Sequence, residues 1–332
     1  MTEPETAGLA IGVDVGGTKT AAAVVDARGR IVDRARRATL GQDVREVEDA
    51  IAEMTDELRT RHEGVVAVGV GIAGLVDPSG DVVRTATHLA IHHEPVRARI
   101  ESRVGLPVRV ENDGTAAAWA EYRFGAGGGA DPVLVVTVGT GLGGGLIVGG
   151  ALIRGASGTA GEIGHSVLER DGRPCPCGDR GCLEQYASGR ALVREARDLV
   201  REHPGASHGL VSRCDGDPEK IDGPAVTEAA REGDPGALRA FERVGTALGH
   251  GLASVANVLD PARIVLGGGV SEAGELLLAP TRTAFALHVV GRGERPLAEL
   301  VLAALGNDAG AVGAADLARA TRAGAGADRR AS

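Results

Sequence analysis

The chain has 332 residues, of which 43% are hydrophobic, 24% charged and 2% aromatic. Its 36 Lys and Arg residues against 45 Asp and Glu give a net charge of −9, which argues against nucleic acid or an anionic membrane as a partner. The length suits two domains, and no apolar stretch approaches the roughly 20 residues that span a bilayer, so we expect a cytoplasmic protein.

The N-terminal third is predicted to be an antiparallel meander covered by a helix. Strand-like residues 9–15 lead through a glycine turn to a second and a third strand, and residues 43–61 carry apolar side chains at helical spacing. A strand over 65–74, a helix over 95–104, a short strand ending in Glu111-Asn112-Asp113 and a helix over 115–124 follow. This alternation predicts an α/β fold.

The strand, glycine turn and strand of residues 9–26 recur at residues 133–150. Two similar halves predict a duplicated fold with a cleft between them. A long helix over 235–260 then leads into a strand and a further glycine turn at Gly267–Val270. We expect a smaller N-terminal α/β domain of residues 1–120 plus about 308–332, and a larger domain of residues 121–307 that carries a metal-binding loop.

Three glycine turns are candidates for phosphate binding, because glycine lets backbone amides approach a phosphate closely. The alternative for each is an ordinary hairpin turn, but two hydroxyl-bearing glycine hairpins at corresponding places favour phosphate binding. In the first turn, Asp14 is a candidate to hold Mg²⁺ through water. The candidate residues are Asp14, Gly16, Gly17, Thr18 and Lys19 in the first turn, Thr140, Gly141 and Gly143 in the second, and Gly268 and Gly269 in the third.

The triplet Glu111-Asn112-Asp113 lies at a predicted strand end, immediately before a helix. A carboxylate there can accept a proton from a substrate hydroxyl that attacks a phosphoryl group. The alternative is that Asn112 or Asp113 only caps the helix. The flanking glycine turns favour Asp113 as a catalytic base.

Three cysteines and one histidine have the spacing of a metal site. His165, Cys175, Cys177 and Cys182 supply three thiolates and one imidazole, and Gly178 lets the chain turn tightly between them. Four protein ligands with no open position predict a structural zinc ion. Glu162 and Glu184 stand at the two ends of this segment. They are candidates to accept hydrogen bonds from sugar hydroxyls, with plain surface charges as the alternative.

Together these motifs resemble those of the ROK family of sugar kinases and repressors, and within it the bacterial glucokinases. The resemblance covers nearly the whole chain and implies an actin-like, ribonuclease H-like fold of two domains. It rests on five matched segments, which are DVGGTKT from Asp14, END from Glu111, GTGLGGG from Gly139, GEIGH from Gly161 and CPCGDRGCLE from Cys175. The sequence departs from the family pattern at Gly114 and Thr115, after the base, and at Ala73, where a proline is usual.

By this resemblance the protein transfers phosphate from ATP to the 6-hydroxyl of glucose, with Mg²⁺ and a structural Zn²⁺. Asp113 is then the base, and the implied sugar contacts are Gly74, Asn112, Asp113, Glu162, His165 and Glu184. The family also implies a homodimer or homotetramer. Three alternatives stay open: a kinase for mannose, N-acetylmannosamine or fructose, a catalytically weak sugar-sensing regulator, and a repressor. A repressor needs an N-terminal helix-turn-helix, and eight residues precede the first strand here.

Overall fold

The computed structural model describes residues 8–17, 19–39, 43–86 and 89–328, with side chains through residue 320. The strands in these ranges are β1 (Leu9–Val15), β2 (Lys19–Val25), β3 (Ile31–Ala38), β4 (Val65–Ile72), β5 (Leu75–Val76), β6 (Val83–Ala86), β7 (Ile91–Glu94), β8 (Val108–Asn112), β9 (Val133–Val138), β10 (Leu142–Val148), β11 (Ala151–Ile153), β12 (Arg263–Gly267) and β13 (Glu299–Leu302). The α-helices are α1 (Val44–Arg61), α2 (Val96–Val104), α3 (Asp113–Phe124), α4 (Gly189–Glu202), α5 (His208–Arg213), α6 (Gly223–Arg231), α7 (Pro235–Leu259), α8 (Glu275–His288) and α9 (Ala309–Asp328).

The described chain forms two compact units. Unit 1 comprises residues 1–128, 145–161 and 307–332, and unit 2 comprises residues 129–144 and 162–306. Residues 145–161 lie in unit 1, apart from their neighbours in sequence, because Gly145 packs directly on α3 and Gly158 on β5. An added Cβ at Gly145 would lie 2.5 Å from the Ala118 side chain, and one at Gly158 would lie 2.1 Å from the Val76 oxygen.

Two five-stranded sheets share one topology. The first has the order β3-β2-β1-β4-β8 and the second β11-β10-β9-β12-β13. In the first sheet, β1, β2 and β3 are antiparallel, as the predicted meander requires, while β4 lies parallel to both β1 and β8. In the second, β12 lies parallel to β9 and β13, and β10 and β11 form a hairpin. The repeated topology confirms the predicted duplication.

Helix α9 packs against the first sheet at unusually short range. An added Cβ at Gly12 of β1 would lie 1.7 Å from the Ala311 oxygen, and one at Gly69 of β4 would lie 1.8 Å from the Ala314 oxygen. Only glycine fits at these two crossings. The C-terminal helix therefore completes the unit that holds the first glycine turn.

The predicted helices are present, with small changes at their ends. Helix α1 is confirmed, and its cap is Asp43, whose side chain accepts a hydrogen bond from the Arg45 amide. Helix α3 begins at Asp113 rather than at the predicted Thr115, because Asn112 is its N-cap. None of the helices in the described ranges combines the length and apolar character that a bilayer-spanning segment requires.

Candidate active site

The first glycine turn joins β1 to β2 in unit 1. The Gly16 amide donates to the Lys19 carbonyl over 3.0 Å, and the Thr39 hydroxyl donates to the Gly16 carbonyl over 2.8 Å. Gly17 is exposed, and Lys19 is exposed at the start of β2, where its backbone pairs with Ala38. Thr18, a predicted phosphate contact, lies outside the described residues. The turn is thus a hairpin whose exposed backbone leaves room for an anion.

Two carboxylates of unit 1 interact electrostatically. Burial, with the charge of Asp113 as the second cause, raises the pKa of Asp14 to about 6. Burial also raises the pKa of Asp113, and this effect outweighs the hydrogen bond that the Gly114 amide donates to its Oδ1 over 2.8 Å. A buried carboxylate whose ionisation is opposed by a second carboxylate is stabilised in its ionised form by a nearby cation.

Asn112 has two structural roles at the start of α3. Its Oδ1 accepts from the Thr115 amide over 2.9 Å, and its Nδ2 donates to the Gly74 carbonyl over 3.1 Å. The structure therefore brings Gly74 to the end of β8, next to the predicted base. Because Asn112 caps the helix, the Asp113 carboxylate is not needed as the N-cap. The cap alternative holds for Asn112 and leaves Asp113 available for chemistry.

Glu111 is a buried residue that the sequence prediction did not include among the site residues. Its Oε2 accepts from Arg154 Nε over 2.8 Å and from Arg154 Nη2 over 2.7 Å. This ion pair ties Arg154 to β8, the strand that ends at Asn112, directly before Asp113. No local signal marks the pair, because its members are separated by 43 positions.

The predicted metal ligands come together in unit 2. The ligand atoms of His165, Cys175, Cys177 and Cys182 all lie within 4.8 Å of one another. Cys175 Sγ lies 3.7 Å from His165 Nδ1, and Cys177 Sγ lies 3.6 Å from Cys182 Sγ. Zinc–sulfur bonds of about 2.3 Å in a tetrahedron place two sulfurs about 3.8 Å apart, so the group fits a zinc ion.

Short turns, not regular helices or strands, shape this cluster. His165 ends a 3₁₀ turn at Ile163–His165, and Cys182 precedes another at Leu183–Gln185. Gly181 has φ of +78°, and an added Cβ there would lie 1.7 Å from the Glu169 oxygen. Burial, followed by the neighbouring thiols, raises the pKa of Cys182 to about 12. A bound cation reverses this effect by stabilising the thiolate.

Glu184 contacts the second glycine turn. Its Oε2 accepts from the Leu142 amide over 2.9 Å, and an added Cβ at Gly141 would lie 2.4 Å from the same oxygen. The sequence prediction assigned Glu184 to the sugar and Gly141 to the phosphates, and the structure places the two residues against each other. Glu162, the other predicted sugar carboxylate, directly precedes the 3₁₀ turn of His165 and is half-buried.

The second and third glycine turns are neighbours in unit 2. An added Cβ at Gly268, where φ is +82°, would lie 2.7 Å from backbone atoms of Val138, at the end of β9. The Gly139 carbonyl, in the second turn with Thr140, accepts from the Gly189 amide at the start of α4 over 2.7 Å, and the predicted phosphate contact Gly143 lies within β10. Gly269 faces open space. Two glycine turns and a helix start in one place form a suitable nucleotide-phosphate site.

The chain is similar to known proteins over nearly its whole length. The model of the ROK family matches residues 10–321. A glucokinase of Streptomyces coelicolor is 46% identical over 312 residues, which cover 94% of this chain and 98% of that protein.

Two solved structures resemble the whole chain. A ROK family glucokinase from Streptomyces griseus, in complex with glucose and AMPPNP, has a TM-score of 0.87 and 48% identity, covering 94% of this chain and 100% of that one. The ROK hexokinase from Thermus thermophilus has a TM-score of 0.75 and 34% identity, covering 94% and 98%. These similarities confirm the predicted α/β fold class with two actin-like, ribonuclease H-like domains.

Proposed function

The chain belongs to the ROK family, and we propose that it is an ATP-dependent glucokinase that phosphorylates the 6-hydroxyl of glucose. The observation that carries this proposal is whole-chain similarity, at 46% to 48% identity, to glucokinases that include one solved with glucose and a nucleotide analogue. The geometry supports it, because Asp113 lies at the start of α3 with its capping role taken by Asn112. Asp113 is the proposed catalytic base.

Asp113 would act late in the transfer. A carboxylate is too weak a base to ionise an alcohol beforehand, so it orients the hydroxyl and accepts its proton as the bond to phosphorus forms. Burial raises the pKa of Asp113 and makes it a better acceptor than an exposed aspartate. The proposed sugar contacts around the reaction are Gly74, Asn112, Glu162, His165 and Glu184.

Asp14 and residues of the glycine turns are the proposed contacts for Mg²⁺ and for the phosphates of ATP. The phosphate contacts are Gly16, Gly17, Thr18 and Lys19 in the first turn, Thr140, Gly141 and Gly143 in the second, and Gly268 and Gly269 in the third. Burial and the charge of Asp113 disfavour the ionised form of Asp14, and a nearby divalent cation would stabilise that form. Mg²⁺ would neutralise phosphate charge there.

The proposed zinc ion is structural. His165, Cys175, Cys177 and Cys182 would fill a tetrahedral coordination shell, which leaves no position for a reacting water or substrate. The ion would fix the turns that carry Glu162 and Glu184, and so the carboxylates that face the sugar. The cytoplasmic location and the dimer or tetramer remain predictions.

A panel of hexoses tests the assignment. The ratio kcat/KM is measured by coupled ADP release for glucose, mannose, N-acetylmannosamine and fructose, and the product of the best substrate is assigned by phosphorus NMR. We expect glucose to give the highest ratio and glucose 6-phosphate as product. A higher ratio for another hexose would reassign the substrate, and no ADP release with any of them would indicate a sugar-sensing regulator.

A further inference from the structure

The segment that carries the three cysteines of the proposed metal site has little regular structure of its own. We call residues 172–182 the metal loop. It contains turns and takes part in two isolated bridges, Pro174 with Arg180 and Cys182 with Val167, but it has neither an α-helix nor a ladder strand. Backbone hydrogen bonds close this loop on itself and on Leu168, whose amide donates to the Gly181 carbonyl over 2.8 Å, whereas its described hydrogen bond to α4 comes from a side chain. That side chain belongs to Arg173, two residues before Cys175.

Arg173 is held from several sides. Its backbone amide donates to the Tyr186 hydroxyl over 2.8 Å, and its carbonyl accepts from the Gly181 amide over 2.7 Å. Its guanidinium lies 5.0 Å from the centroid of the Tyr186 ring and donates to the Gln185 carbonyl over 3.3 Å. The Gln185 amide group in turn lies 3.7 Å from Cys175 Sγ. Arg173 is therefore linked to the ligand Cys175 through Gln185, and to Gly181, which precedes the ligand Cys182 in the chain.

Glu195 joins this arginine to the helical core of unit 2. From the middle of α4, its Oε1 accepts from Arg173 Nη2 over 2.7 Å and its Oε2 accepts from Arg243 Nη1 of α7 over 2.9 Å. The Glu195 side chain is 10% exposed. One buried carboxylate thus bridges the metal loop and two helices. Charge-assisted bonds of this kind are about twice as strong as neutral ones.

We propose that Glu195 is a positioning residue, which holds the metal loop on α4 and α7 through Arg173 and thereby sets the direction of Glu184 toward the sugar. This inference rests on the proposed zinc site and glucokinase activity. The hydrogen bonds described for the Glu195 side chain go to Arg173 and Arg243 and not to a ligand atom or to Glu184, so its effect passes through Arg173 and the turn at Leu183–Gln185. Neutralising Glu195 changes none of the four metal ligands, but it weakens the contacts that hold the metal loop on α4 and α7.

The chain offers a matched control. Glu219 also bridges two arginines of α4, Arg197 and Arg201, but it is 62% exposed and has no contact with the metal loop among those described. Glu195→Gln and Glu219→Gln therefore remove the same charge from the same bridging pattern. Only the first change reaches the metal loop.

The test uses the zinc-loaded enzyme and two readouts. The first is the rate of zinc release to excess chelator, followed with a colorimetric zinc indicator. The second is the pair of steady-state constants, KM for glucose and kcat, which shows whether a variant alters one or the other. We expect Glu195→Gln to release zinc at least about tenfold faster and to raise KM about tenfold, with kcat within about threefold of the wild type. Glu195→Asp keeps the charge on a shorter side chain, so its zinc-release rate and KM should lie between those of the wild type and of Glu195→Gln. Glu219→Gln should match the wild type in both.

Arg173→Lys provides a second route if Glu195→Gln does not fold, because it keeps the charge but loses the planar fork. It should shift both readouts in the same direction. A folded variant of either kind with wild-type zinc release and wild-type KM overturns the proposal, even if its melting temperature falls. Wild-type enzyme that holds no zinc or does not phosphorylate glucose would instead refute the proposed function, and the inference with it.

Discussion

Replacing Asp14 by asparagine should stabilise unit 1 while it removes activity. Burial, with the charge of Asp113 as second cause, raises the pKa of Asp14 from its ordinary 3.8 to about 6. The native protein thus binds this proton more tightly than the unfolded chain. The free energy of unfolding therefore falls as the pH rises from about 4 to about 6, and the loss persists at neutral pH.

The magnitude follows from the shift. A difference of about 2.2 pKa units at about 1.36 kcal/mol per unit gives about 3 kcal/mol as an upper limit, because solvent reaches part of the carboxyl group. The asparagine side chain that replaces Asp14 has a similar shape and no charge. We expect Asp14→Asn to raise the free energy of unfolding at about pH 7.5 by between about 1 and 3 kcal/mol, and to abolish ATP-dependent turnover if Asp14 holds the Mg²⁺.

Urea unfolding followed by tryptophan fluorescence measures this change in the right unit, since Trp119, the single tryptophan, lies in α3 of unit 1. Asp26→Asn is the control, because hydrogen bonds from Arg30 and Arg28 outweigh burial and lower the pKa of Asp26. It should cause a small loss of stability. Unchanged or reduced stability in Asp14→Asn, or a wild-type curve that does not fall relative to it between about pH 4 and pH 6, would refute the reasoning.

Three further predictions concern the metal cluster and the base. Cys182→Ser should abolish stoichiometric zinc binding in elemental analysis, whereas Cys214→Ser, a buried thiol outside the cluster, should retain it; full zinc content in the first variant would exclude the cluster as the site. Gly181→Ala should lower the free energy of unfolding by at least about 2 kcal/mol, because the added Cβ would meet the Glu169 backbone oxygen. Gly178→Ala should lower it less, because the added Cβ would meet no other atom. Equal free energies of unfolding for the two variants would contradict this. Because burial raises the pKa of Asp113, the acid limb of kcat/KM should lie above about pH 4, and a profile flat down to that pH would argue against Asp113 as base.

The cysteine and histidine cluster and the glycine turns between strands were predictable from the sequence because their signals are local. Cys175, Cys177 and Cys182 lie close together in the chain, and glycines between strands mark close backbone approach wherever they occur. Helix α1 and the long helix α7 were predictable because an apolar face repeats at helical spacing along each.

The missing parts depend on contacts between distant segments. The Glu111–Arg154 ion pair and the bond from the Leu142 amide to Glu184 each join residues more than 40 positions apart, so no spacing rule marks them. Strands β5 to β7 have two to four residues each, too few for an alternating pattern to stand out. Helix α4 was not among the predicted elements, although its buried residues Leu192, Ala196 and Leu199 follow helical spacing.

The most direct test of the central assignment is to compare glucose binding and turnover in Asp113→Asn. Asparagine preserves the shape of the side chain at the start of α3, and the Asn112 cap is unchanged, so the helix should form as before. Calorimetry should give a Kd for glucose within about threefold of the wild type, while coupled ADP release should show kcat lower by at least about 100-fold. A variant that binds glucose and turns over at the wild-type rate would contradict the role of Asp113 and the mechanism built on it.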